Sequence, residues 1–179
     1  MKFTKTEIQN VIIIEPDISQ DERGYFAEIF REDLLQEQIS YKVNFCQENE
    51  SMSAKGVLRG LHYQLPPYQQ SKLVRVVSGK VLDVAVDIRE GSVTFGKYVA
   101  VELSQENHKQ FFIPRGFAHG FMALEDDTML VYKVDNYYSQ PHERCIIYDD
   151  KLFNIKWPRL DKEVIISAKD SEAPYYKHE

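Results

Sequence analysis

Short apolar runs punctuated by turn residues, with no long helical pattern between them, are what most limits the folds open to this chain. β-Branched and aromatic residues concentrate at 11–14, 24–30, 72–77, 81–88, 98–103, 110–113, 120–124 and 128–134. Between them lie the turn segments Ser78-Gly79-Lys80, Arg89-Glu90-Gly91-Ser92, Ser104-Gln105-Glu106-Asn107 and Glu125-Asp126-Asp127. Such punctuation predicts a mainly β fold, a sandwich or barrel, in one domain over 1–179. Helix is expected only at 32–38 and for a turn or two near the C-terminus, and Pro66-Pro67 ends a strand. In the run 72–77, Lys72, Val74 and Val76 share one face while Leu73, Arg75 and Val77 share the other. Neither face is strongly polar, so both are expected to be covered. Lys72 and Arg75 point opposite ways, and at most one of them reaches a given pocket.

The formal charge of −6 argues against nonspecific nucleic-acid binding, which needs a basic surface. Any phosphate-bearing ligand must be held by a few local cations. Cys46 and Cys145 fit no metal or redox spacing and read as free thiols. The N-terminus lacks a signal-peptide h-region and no apolar run reaches membrane-spanning length, so a soluble, cytoplasmic protein is expected.

Chemistry concentrates in Gly56-Val57-Leu58-Arg59-Gly60-Leu61-His62-Tyr63-Gln64. Histidine suits proton transfer near neutral pH, and arginine grips phosphate through paired hydrogen bonds. Taken alone, a histidine in an apolar strand is more often a hydrogen-bonded structural residue. Strict alternation would put Arg59 and His62 on opposite faces, their separation being odd. A bulge at Gly60 would reset the phase and let both serve one pocket. A second segment, Ile113-Pro114-Arg115-Gly116-Phe117-Ala118-His119-Gly120-Phe121, resembles the second motif of the cupin superfamily. Metal-binding cupins carry an H-x-H pair in the first motif. Here that motif reads His62-Tyr63-Gln64, which leaves too few ligands for a transition metal. A metal-free pocket is expected, and His119 reads equally well as a core residue. A third run, 130–138, supplies Tyr132 and Tyr138. Ser167-Ala168-Lys169-Asp170, read alone, is a solvated tail.

Taken together, these blocks resemble the dTDP-4-dehydrorhamnose 3,5-epimerase family nearly end to end. The matching residues include Asp21 to Phe26, Gln47 to Ser51, Gly56 to Pro67, Lys72 to Arg75, Asp83 to Asp87, Thr94 to Lys97, Ile113 to Phe121, Tyr132-Lys133 and Ser167 to Asp170. The resemblance implies a cupin-type jelly roll with short peripheral helices, without metal or cofactor, working as a homodimer on a nucleotide-linked 4-keto-6-deoxy sugar. It assigns His62 as the base, Asp170 as its orienting carboxylate, Tyr132 as the acid and Lys72 as the cation facing the C4 oxygen. It places Arg59, and Arg23 from the partner subunit, on the diphosphate. Phe26, Glu28, Gln47, Asn49, His119 and Tyr138 go to nucleotide, diphosphate or sugar, with Glu143 and Lys169 as weaker members.

Where the family pattern has Arg-Gly-Ile-x-Trp-Asp-Asp-Pro, this chain reads Arg144-Cys145-Ile146-Ile147-Tyr148-Asp149-Asp150-Lys151. Cys145 and Tyr148 are expected to alter a loop after Tyr138 without touching the proton-transfer residues. The competing readings are an enzyme inverting only C3 or only C5, a metal-dependent cupin enzyme using His62 and His119, and a noncatalytic sugar-binding module.

Overall fold

The computed structural model describes residues 1–177 and places two antiparallel sheets face to face. Strands follow in chain order as β1 (Lys2–Lys5), β2 (Ile12–Glu15), β3 (Ile18–Asp21), β4 (Gly24–Ala27) and β5 (Gln47–Ser53). Then come β6 (Val57–Gln64), β7 (Lys72–Ser78), β8 (Lys80–Asp87), β9 (Tyr98–Ser104) and β10 (Gln110–Ile113). The last four are β11 (Phe117–Ala123), β12 (Thr128–Val134), β13 (Glu143–Cys145) and β14 (Ile165–Ile166). Helices are short: α1 (Glu32–Gln36) and α2 (Ala168–Ser171).

One sheet runs β1-β2-β10-β7-β12-β5, the other β13-β6-β11-β8-β9, with β14 parallel to the start of β6. Neighbours that are distant in sequence make this the jelly roll that was expected. Its interior is filled by alternate residues of both sheets, among them Val74, Val76, Phe111, Phe121 and Leu130. The fully buried Phe111 contributes on the order of 1.5–3 kcal/mol of transfer free energy. Leu73 and Phe112 turn the other way, onto Leu35 and Ile39 of the α1 segment. The outer face of the second sheet carries Leu61, Val84 and Val86 beneath Phe153 and Ile146. Both faces of β7 are thus covered, and Lys72 falls on the interior side beside Val74.

Several strands lie where composition gave no sign. Strand β5 reads Gln-Glu-Asn-Glu-Ser-Met-Ser, with no β-branched residue, and it forms because β12 pairs with it over its whole length. β1, β3, β13 and β14 are equally polar or very short, and pairing with a neighbour decides them. The run at 24–30 stops at Ala27. α1 ends at Gln36, two residues before the expected end.

The expected phase reset occurs. His119 faces His62 and Phe121 faces Arg59, so three steps on β6 match two on β11. One residue is extra, and Arg59 and His62 come onto the same side. Gly60 has φ +126°, and a Cβ there would sit 2.6 Å from the Cα of Gly120 and 2.8 Å from the carbonyl oxygen of His119. Only glycine meets both conditions.

Candidate active site

The pocket opens between the sheets at one end of the sandwich. Arg59, His62, His119 and Glu143 line it from the β13-β6-β11 side, and Lys72 and Tyr132 from the β7-β12 side; Tyr138 reaches in from the connection after β12. It encloses about 270 Å³, just under the range of about 300–1,000 Å³ usual for small-ligand pockets. That suits one sugar ring, with the remainder of a larger ligand extending past the mouth.

His62 is held from behind. Its Nε2 lies 2.7 Å from Oδ1 of Asp170, whose other oxygen accepts the amide of Gly60 at 3.3 Å. The bulge that turns Arg59 into the pocket also frees that amide from the ladder, and a buried amide needs a partner. Asp170 supplies it. Ser167 caps α2 by accepting the backbone N–H of Asp170 at 3.1 Å, so the segment that reads as a solvated tail is a docked turn with a buried carboxylate. Burial pushes the Asp170 carboxyl up, but the hydrogen bond and charge of His62, with the Gly60 amide, outweigh it and hold the group below the usual value. A carboxylate there accepts a hydrogen bond from Nε2–H, leaving the Nδ1 lone pair of His62 as the basic atom.

Behind the other half of the pocket stands a second pair. His119 Nε2 is 2.8 Å from Oδ1 of Asp83, and its Nδ1 is 3.5 Å from Nζ of Lys72. Burial lowers the His119 pKa more than the Asp83 charge raises it, so the ring is neutral near pH 7 and accepts from Lys72. Burial also lowers Lys72 to about 8, against the pull of Asp83 and Glu143. The ammonium lies 5.8 Å from the centre of the Tyr132 ring. Burial raises the Tyr132 phenol, opposed by a hydrogen bond with Asn49 and by the Arg59 charge. The phenol therefore keeps its proton at neutral pH and can give it away.

Around the mouth, Arg59 reaches β5 through Ser53 Oγ and the carbonyl of Met52, both at 3.2 Å. Glu143 accepts from Tyr138 at 3.1 Å and pairs with Lys169 at 2.6 Å. Gln47 accepts the backbone N–H of Tyr138 at 3.2 Å and donates to Asn49 at 2.8 Å. Gln64, which stands where a metal cupin has its second histidine, is buried and ties down the chain beyond β12. It donates to the carbonyls of Tyr68 and Tyr137, at 2.6 and 3.2 Å, and accepts from the Ser139 amide at 2.6 Å.

The hairpin β3-β4 behaves differently. It pairs with neither sheet, and its residues do not line this pocket. Phe26 is 76% exposed, Arg23 turns back onto Asp21, and Glu28 lies 3.8 Å from Arg31.

Two residues escaped sequence reasoning. Asp83, like Asp87, was an acid inside the apolar run 81–88, and a charge placed within an apolar strand was the available signal. Cys145 was expected to alter a loop after Tyr138 without touching the proton-transfer residues, and this is corrected. It sits in β13 directly opposite His62, with Sγ 3.5 Å from Oδ1 of Asp170. Pairing of β13 with the end of β6 brings it there.

Fold and pocket together define a cupin-type jelly roll with an acid–base site between its sheets. The chain belongs to the dTDP-4-dehydrorhamnose 3,5-epimerase family, whose pattern matches residues 5–178. It is 56% identical to the dTDP-4-dehydrorhamnose 3,5-epimerase of Shigella flexneri over 158 residues, 88% of this chain and 87% of that one. The crystal structure of the dTDP-4-dehydrorhamnose 3,5-epimerase from Elizabethkingia anophelis superposes with a TM-score of 0.94 at 45% identity, covering 98% and 96% of the two chains. The dTDP-6-deoxy-D-glucose-3,5-epimerase of Legionella pneumophila, solved with dTDP-4-keto-L-rhamnose, gives 0.91 at 45% identity, covering 99% of each.

Proposed function

We propose that this protein inverts C3 and C5 of dTDP-4-dehydro-6-deoxy-D-glucose to give dTDP-4-dehydro-L-rhamnose, a step of dTDP-rhamnose biosynthesis. Family membership supports the reaction, and the placement of acid and base on opposing sheets supports the division of labour. A C4 carbonyl acidifies the protons on C3 and C5. Inversion removes a proton from one face of the ring and returns one to the other, which needs a base and an acid on opposite sides.

His62 Nδ1 takes the proton, with Asp170 fixing the ring and stabilising the imidazolium. Tyr132 returns a proton from the facing sheet. The Lys72 ammonium, oriented by His119, lies beside the enolate oxygen as its charge grows. Arg59 holds the diphosphate, while Gln47, Asn49, Tyr138, Glu143 and Lys169 shape the mouth. Proton transfer of this kind calls for no metal or organic cofactor.

Arg23, Phe26 and Glu28 act in the partner's site of a homodimer in the cytoplasm. The projecting hairpin and the outer edge of β5, last in its sheet, support such an exchange of elements. Among the described residues, no helix is long and apolar enough to cross a membrane.

Incubation with dTDP-4-dehydro-6-deoxy-D-glucose in heavy water, followed by NMR, tests the reaction. Deuterium is expected at both C3 and C5. Exchange at one carbon alone would make the protein a single-centre epimerase, and exchange at neither would refute the reading. Mixing Arg23→Ala with His62→Ala subunits tests the dimer. Each mixed dimer regains one intact site, so about a quarter of wild-type activity returns if Arg23 works in trans. No recovery would place Arg23 elsewhere.

A further inference from the structure

Three elements converge on one edge of the His62 ring. β6 brings Nε2 of His62, α2 brings Oδ1 of Asp170, and β13 brings Sγ of Cys145, all within 4.8 Å of one another. We propose that these three atoms form an inhibitory site for a thiophilic divalent cation of the zinc type. Binding stands on the ligand geometry alone, while inhibition rests on the reading of His62 as the base.

Zinc takes imidazole nitrogen and carboxylate oxygen at about 2.0–2.2 Å and thiolate at about 2.3 Å, which sets tetrahedral donors roughly 3.3–3.7 Å apart. The Cys145 Sγ to Asp170 Oδ1 separation is already 3.5 Å. The His62 Nε2 to Asp170 Oδ1 separation is 2.7 Å and must widen by roughly 0.6–0.8 Å. The His62 side chain is one-third exposed and can turn that far. Three protein ligands leave a fourth position open, as in zinc sites that hold an exchangeable ligand. The thiolate favours zinc over the oxygen-seeking magnesium and calcium. Outer support is present too, because the Gly60 amide and the Ser167 cap already fix the Asp170 carboxylate.

The proton balance explains the inhibition. An S–metal bond replaces the S–H bond of Cys145, and that proton leaves to solvent. At His62 a nitrogen–metal bond replaces Nε2–H, and the ring's proton moves to Nδ1. The lone pair that would attack the substrate is gone. Burial and the Asp170 charge push the Cys145 thiol up to about 12. The cation must therefore displace a firmly held proton. A glycine at 145, as in the family pattern, would leave only two ligands.

The test pairs a binding readout with an activity readout on the intact protein. Cobalt(II) titrated into wild type should give the near-ultraviolet thiolate charge-transfer band, and Cys145→Ala and Cys145→Ser should lose it while Cys46 remains. Each protein's rate with zinc is then divided by its own rate after chelation. Wild type should be inhibited at least tenfold at a zinc concentration that leaves both variants within twofold of their own chelated rate. Equal inhibition of wild type and variants, or absence of the band in wild type, would overturn the site. A band accompanied by undiminished activity would overturn the inhibition, while the role of His62 as base is judged separately by the metal-free His62→Ala rate.

Discussion

The pocket holds the same pair of side chains twice, and the two settings give them different chemistry. In both, a histidine Nε2 meets a carboxylate oxygen, at 2.7 Å for His62–Asp170 and 2.8 Å for His119–Asp83. His62 is one-third exposed, whereas the His119 side chain is 6% exposed and Asp83 is fully buried. Asp170 also takes the Gly60 amide and faces the Cys145 thiol, while Oδ2 of Asp83 is without a hydrogen-bond partner among the described residues. On the function proposed above, the exposed imidazole is the one that moves protons, and the one sealed between a carboxylate and an ammonium orients Lys72. Accessibility, rather than residue type, separates the two.

The largest expected effect comes from His62→Ala, which should lower kcat roughly 100- to 10,000-fold with an unchanged circular dichroism spectrum and a lower thermal midpoint, because buried Asp170 loses the partner that offsets its burial. His119→Ala should lose less and act through Lys72; an equal or greater loss there would erase the contrast. Next in size is a test of coupling. Asp170→Asn should cost much in wild type but little on top of His62→Ala, because the two work as a unit. Asp83→Asn should add to His62→Ala nearly in full, and a non-additive result would join the two pairs into one network.

The smallest effect is a shift in pH dependence. If the ammonium of Lys72 is needed, kcat/KM should fall as pH rises through about 8, where the buried amine loses its proton. The Asp83 charge raises that value, so Asp83→Asn should move the falling limb to lower pH. A limb that stays in place would mean that the Asp83 charge does not tune Lys72.

The alternating runs of β7, β8 and β12 were legible because each is buried on the interior face by its own apolar residues. β5 was not, since a strand of Gln, Glu, Asn and Ser exists only by pairing with β12. Within the site, His62, Arg59 and Lys72 were visible as polar residues in apolar strands, and the Gly60 phase break followed from counting. Asp170 drew its role from family resemblance, because nothing local distinguishes it from a surface acid. Cys145 was misjudged for the related reason that cross-strand register, not sequence spacing, makes neighbours.

By itself the sequence determined the β class, the opposite facing of Lys72 and Arg75, and the break at Gly60. These depend on side-chain period and backbone sterics, which act over a few residues. Tertiary structure alone decided which histidine is sealed and which is open, and that α2 and β13 close around the same carboxylate. Burial and a nearby charge from a distant segment set those outcomes, and both exist only once the sheets have met.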